Sequence, residues 1–190
     1  MKALEEKILQ EGEILPGDVL KVGSFLNHQM DVPFIMEMGK EIAGLFQNAG
    51  VTKVLTVEAS GIALAFAAAN WLNVPLLFAK KNKTSNVAAD VYTALVHSYT
   101  HGRDFQVMVS KEYLHSGECV LIVDDFLAKG CALRGLIEIV QNAGATVAGC
   151  ATAIEKGFQG GGDALRKEGI RVESLAVIEA MGDATITFRS

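Results

Sequence analysis

Residues Val120 to Ala132 read VLIVDDFLAKGCA: an apolar run, two adjacent acids, then a turn through Lys129, Gly130, Cys131 and Ala132. Two like charges side by side at the mouth of a buried strand repel each other, and a fold seldom needs both. A ligand can. Ionised carboxylates accept hydrogen bonds only, which suits Asp124 and Asp125 to the vicinal hydroxyls of a ribose. They can also hold Mg²⁺, directly or through its water shell. The small residues that follow let backbone N–H groups approach an anion, and a helix starting near Gly130 adds the positive end of its dipole. Acids for a sugar followed by an amide cradle for a phosphate describe a site for a phosphorylated pentose. A single Asp would be enough to cap the helix. A phosphoacceptor domain, which carries its acid pair on the first strand, does not fit, because too little chain follows Asp124.

A second strand-to-helix turn, TVEASGIA (56–63), repeats the pattern. Glu58, Ala59, Ser60 and Gly61 offer a hydroxyl, small residues and amides at a helix start. Glu58 is the odd member, since an acid beside phosphates needs a metal, a ribose or a structural partner. FAKKNKT (78–84) puts Lys80, Lys81 and Lys83 after another strand. A lysine pair after a strand can be a solvated edge, or one of the two can balance charge on a departing polyanion; Lys81 is chosen over Lys80. IEKGFQGG (154–161) pairs Phe158, able to stack on a flat ring, with Lys156, able to donate to an exocyclic oxygen.

The elements that must position these residues alternate along the chain. A helix is expected over 2–11, an irregular stretch up to Pro33, and a helix over 34–48 stopped by Ala49-Gly50. Strands follow at 53–58, 74–81, 119–125 and 146–156, with closing strands in 171–180 and 184–190. Helices are expected at 61–72, 130–143 and 161–169. Near-continuous apolar strands between helices predict an α/β fold with a mainly parallel central sheet flanked by helices. In such a sheet the ligand lies at the carboxyl ends of the strands. Residues 82–105 break the rhythm and suit a two-stranded flap over a site.

The chain has 190 residues, half of them hydrophobic, and a net charge of −5; its mean hydropathy is +0.29 and its pI about 5.4. One domain spanning 1–190 fits that size. An acidic chain without a basic stripe argues against nucleic acid as a partner. No stretch approaches the roughly 18 apolar residues of a membrane span. Three scattered cysteines without ligand spacing suit a cytoplasmic setting.

The 13 residues from Val120 resemble the phosphoribosyl pyrophosphate (PRPP) signature of the type I phosphoribosyltransferases. With LKVGSFLNHQ (20–29) and the three stretches above, in that order, the chain resembles the xanthine-using purine branch of that family along essentially its whole length. The resemblance implies transfer of the 5-phosphoribosyl group of PRPP to a purine base, with Asp124 and Asp125 as catalytic residues. It implies a PRPP site at Ala128, Lys129, Gly130, Cys131 and Ala132. Glu58, Ala59, Ser60, Gly61 and Lys81 would face the pyrophosphate, in a loop often bearing a strained peptide. Leu20 and Asn27 would join Lys156 and Phe158 at the base, in a hood formed by about 12–33 plus 156–162. Leu20 can equally be core. Mg²⁺ would arrive with PRPP, with no dedicated protein cage, and the chain would form a homodimer, to which Phe34, Met36 and Met38 could contribute unless they face the core.

The chain departs from the family where Lys129 replaces the common Thr or Asn and Cys131 the common Gly or Gln. Guanine, hypoxanthine or adenine as the base is the alternative within the same chemistry. A non-catalytic PRPP-sensing regulator is the alternative outside it, disfavoured by the missing basic face.

Overall fold

The computed structural model describes residues 1–81, 90–98, 103–182 and 185–189. Helix α1 (Lys2–Glu11) leads into two three-residue strands, β1 (Glu13–Leu15) and β2 (Val19–Lys21), paired antiparallel, and then a π-helical turn at Gly23–Asn27. Helix α2 (Val32–Phe46) follows. The chain then runs β3 (Lys53–Val57), α3 (Ile62–Leu72), β4 (Leu76–Ala79), β5 (Val91–Ser98), β6 (Arg103–Ser110), β7 (Cys119–Leu127) and α4 (Cys131–Asn142). It closes with β8 (Thr146–Lys156), a 3₁₀ turn at Gly157–Gln159, α5 (Gly161–Lys167), β9 (Val172–Gly182) and β10 (Thr185–Phe188).

Six strands form the central sheet in the order β10-β9-β8-β7-β3-β4, parallel except for β10. Alternate residues of its strands enter different cores, as the two-residue period of a strand requires. Val54, Leu121, Val123 and Ala151 pack with α1, α2 and α3. Leu55, Val57, Val120, Ile122 and Cys150 pack with α4 and the β5–β6 hairpin. Burial on both faces is why these strands read as unbroken apolar runs. Gly39 brings α2 onto α3: a Cβ there would lie 2.4 Å from that of Ala67.

The connections split the sheet. From β3 the chain moves outward to β4, whereas from β7 it moves the other way to β8 and β9. The boundary between β3 and β7 is therefore the topological switch point, where α/β sheets open a crevice for ligands.

Several expectations shift. Helix α2 begins at Val32, not 34, because the Asp31 side chain caps it, accepting from the Phe34 N–H at 3.2 Å; Pro33 falls in the first turn, where its missing N–H costs nothing. Strand β4 is shorter than 74–81. Strand β7 extends two residues beyond 125, pairing Phe126 with Ile154 and Leu127 with Glu155. The expected flap at 82–105 corresponds in part to β5 and β6, but β6 runs to Ser110, and 82–89 and 99–102 lie outside the described residues. The base of the hairpin is packed down: Ala94, Val96, Val107 and Val109 are buried, a Cβ on Gly135 of α4 would lie 2.5 Å from Val96 Cγ2, and Lys80 bridges to Met108.

Candidate active site

Pairing of β7 with β3 ends at Ile122, while pairing with β8 continues to Leu127. Asp124 and Asp125 occupy the part of β7 from which β3 has turned away. Both are only 6 % exposed. Asp125 is well supplied with donors: Ser60 Oγ donates to its Oδ1 at 3.0 Å and Asn27 Nδ2 to its Oδ2 at 3.1 Å. Asp124 accepts the backbone N–H of Asp125 at 2.9 Å. Burial first, and then the neighbouring Asp125 charge, push the Asp124 carboxyl well above the usual carboxylate range, with Lys81 pulling weakly the other way. Behind it, burial first, and then the neighbouring Asp124 carboxyl, push the Cys150 thiol up to about 12.

The turn after β3 closes over this pair. A Cβ on Gly61 would stand 2.4 Å from Thr56 Oγ1 and 2.7 Å from Asp124 Oδ1, so only glycine fits. Thr56 Oγ1 is buried without a hydrogen-bond partner. The Glu58–Ala59 peptide is cis. Glu58 has the structural partner its position requires, because Oε1 accepts the Lys81 N–H at 2.7 Å and ties the turns after β3 and β4 together. The Lys81 ammonium lies 5.4 Å from the Phe105 ring centroid.

Residues Ala128 to Ala132 form the turn from β7 into α4. Gly130 takes φ 81°, the left-handed region, immediately before the helix. The turn rests on the glycines of α5: the Gly161 N–H donates to Ala128 O at 3.2 Å, and a Cβ at Gly161 would lie 2.2 Å from that oxygen. Lys129 and Cys131 line a cleft of about 530 Å³ with Gly130, Ala132, Phe126 and Lys156. Asp18 and Val19 close it from the hood, and Val96, His97 and Phe105 from the hairpin. On that hairpin His97 Nδ1 lies 2.5 Å from Asp104 Oδ1.

Lys156 Nζ donates to Asp18 O at 2.6 Å and sits 5.8 Å from the Phe126 ring centroid; burial lowers its pKa. Beneath it the fully buried Glu155 accepts two Arg166 hydrogen bonds, at 2.9 and 2.7 Å, and one from Ser174 Oγ at 2.5 Å. That satisfied anion fixes the end of β8 from which Lys156 projects.

Thus Asp124, Asp125, Ser60, Gly61 and Asn27 come together, as do the 128–132 turn and Lys156. Leu20 instead lies in the core at 6 % exposure. Phe158 is 37 % exposed on the 3₁₀ turn and is not among the residues lining the cleft. The ring beside Lys156 is Phe126, which sequence reasoning passed over although it directly follows the acids. Met38 is fully buried, and Phe34 and Met36 pack against the same core.

Residues 30–176 match the phosphoribosyl transferase domain. The chain belongs to that family. A xanthine phosphoribosyltransferase of Bifidobacterium adolescentis is 53 % identical, with both chains covered in full. One from Alkaliphilus metalliredigens is 51 % identical over 100 % of this chain and 94 % of its own. Among solved structures, the adenine phosphoribosyltransferase of Leishmania tarentolae superposes with a TM-score of 0.76 at 15 % identity, covering 96 % of this chain and 90 % of that one. That of Rhodothermus marinus gives 0.73 at 22 % identity, covering 94 % and 100 %. At those identities the structures speak for the phosphoribosyltransferase fold alone.

Proposed function

We propose that this phosphoribosyltransferase converts PRPP and xanthine to xanthosine monophosphate and pyrophosphate. The observation that carries the reaction is the buried acid pair at the β3/β7 switch point, flanked by the 58–61 turn and the 128–132 turn. The curated relatives, near 50 % identical over the full chain, supply the base.

In this reading Asp124 and Asp125 accept the ribose hydroxyls, and the amides of 128–132 at the start of α4 hold the 5′-phosphate. A purine ring nitrogen bonds to the anomeric carbon as the bond to pyrophosphate breaks; the proton of that nitrogen goes to solvent, before or after transfer. Positive charge develops on the sugar as in glycoside hydrolysis, and the adjacent acids favour it. Glu58, Ala59, Ser60 and Gly61 frame the pyrophosphate, and Lys81 balances its charge. The acid pair beside a polyphosphate site suits Mg²⁺ carried in with PRPP, which neutralises charge on the leaving group when bound. Asn27 and Lys156 donate to the exocyclic oxygens of an oxopurine, over the ring of Phe126 or Phe158. The β5–β6 hairpin, already lining the cleft, excludes competing water.

We place the enzyme in the cytoplasm; among the described residues no helix is long and apolar enough to cross a membrane. A homodimer is supported by exposed Phe66 and Trp71 on α3, at 60 % and 49 %.

The test is pyrophosphate release from PRPP and Mg²⁺ with xanthine, guanine, hypoxanthine or adenine, with Asp124→Asn/Asp125→Asn as control. Release strongest with xanthine and absent in the control is expected. Another preferred base overturns the reading of Asn27 and Lys156. PRPP binding without release from any base points to a sensor instead.

A further inference from the structure

Asp125 bonds to both sides of the site at once. Ser60 of the pyrophosphate-facing turn takes one carboxylate oxygen at 3.0 Å, and Asn27 of the hood takes the other at 3.1 Å. A carboxylate has about four acceptor positions, but Asp125 is 6 % exposed, and each of its oxygens already holds one donor. Displacing one of the two donors frees an acceptor for a ribose hydroxyl. Ser60 is half-buried, in a turn packed so closely on Thr56 and Asp124 that Gly61 leaves no room for a Cβ. Asn27 is exposed, at the last position of a π-helical turn, so it is the donor free to leave. Bonded to each other, Asn27 and Asp125 both lie outside the lining of the cleft that holds Lys156 and the 128–132 turn. The amide that is to read a base is drawn down onto the carboxylate that is to read the sugar.

We infer that the Asn27–Asp125 hydrogen bond is a latch that couples the two substrate sites. It rests on the assignments made above, with Asp125 to ribose and Asn27 to the base. Latched, Asp125 Oδ2 and the Asn27 amide are turned to each other; unlatched, Asp125 adds an acceptor for the sugar to that of Asp124, and Asn27 adds a donor for the base to that of Lys156. Either ligand bears the cost of opening for the other, so each tightens the binding of its partner, by the same factor in both directions.

Calorimetric titration with ribose 5-phosphate, which carries the hydroxyls and the phosphate but no leaving group, separates the outcomes. Asn27→Ala removes the latch and is expected to bind ribose 5-phosphate on the order of tenfold more tightly than the parent, the low end of the worth of one hydrogen bond to a charged group. On the parent, added xanthine should tighten ribose 5-phosphate binding. A residue that only reads the base would leave ribose 5-phosphate affinity unchanged in the absence of base. Asn27→Ala binding no tighter than the parent, while Asp125→Asn binds more weakly, keeps the ribose assignment and overturns the latch. Asp125→Asn binding as well as the parent overturns the ribose assignment and the latch with it. Because Asn27 is exposed, its replacement does not threaten the fold.

Discussion

The side of this site proposed for the pentose phosphate and the side proposed for the base are built differently. The first rests on β7, a strand paired in parallel with β8 up to Leu127, and its turns are joined through backbone: Glu58 to the Lys81 N–H, Ala128 O to the Gly161 N–H. Glycine is demanded at 61 and 161 because a Cβ would strike atoms at 2.4 and 2.2 Å. The base side hangs on two three-residue strands and a π-helical turn, with Lys156 tied to one carbonyl and Asn27 exposed. Displacing a sugar substituent needs atoms fixed to a fraction of an ångström, whereas choosing a base needs a few donors that can be moved. In the proposed reading, rigid backbone serves the step shared by the family, and side chains on short elements serve selection.

Gly161→Ala gives the sharpest break between the two. The new methyl cannot coexist with Ala128 O and the Lys129 carbonyl carbon, at 2.2 and 2.5 Å, and both are backbone. The phosphate turn must move. We expect kcat/KM for PRPP to fall on the order of 10²-fold, by the same factor for every base, as a displacement near 1 Å does in a positioned site. Steady-state kinetics with two bases checks it; a loss confined to one base would place Gly161 on the wrong side of the comparison.

The same contrast decided what could be read from sequence. Strands β3, β7 and β8 stood out because burial on both faces leaves long apolar runs, and Asp124 and Asp125 stood out because acids interrupt one of them. The hood carries no period to read: its strands are three residues long, and Leu20, offered as a base contact, is a core residue packed near Gly12. The strand was expected to stop at Asp125, although Phe126 and Leu127 still pair with β8; this hid the ring next to Lys156. The hairpin ran past its expected end because Val107 and Val109 alternate inward beneath a polar start. Tertiary contacts between Asn27, Ser60 and Asp125, separated by 98 and 65 positions, leave no local trace.

Lys156→Met sharpens the comparison from the other side. The variant keeps the length and the packing on Phe126 but loses the ammonium. We expect kcat/KM for xanthine to drop about 10- to 100-fold, the worth of one hydrogen bond from a charged donor, with the affinity for ribose 5-phosphate unchanged. Equal losses in both would mean that Lys156 supports the phosphate turn it lines the cleft with, and that the two sides are not separable.

The smallest effect concerns stability and reveals what the rigid side costs. Asp124 is buried beside a like charge, and its pKa is raised well above the usual range. From the ordinary carboxylate pKa near 4 upward, the unfolded chain has released this proton while the folded chain still holds it, so the contribution of Asp124 to stability falls as pH rises towards the folded value. Asp124→Asn cannot ionise. It should therefore melt higher than the parent at neutral pH, by about 2–4 °C for each kcal/mol relieved in a chain of this size, and the gap should narrow as pH falls towards 4. Thermal unfolding across that range, alongside pyrophosphate release, reads both halves. A more stable but inactive variant would mean that the acid pair is retained against the preference of the fold, for the ligand. A variant less stable at every pH would show instead that the hydrogen bond from the Asp125 N–H makes Asp124 a structural member of β7, and the pentose side would lose its most distinctive feature.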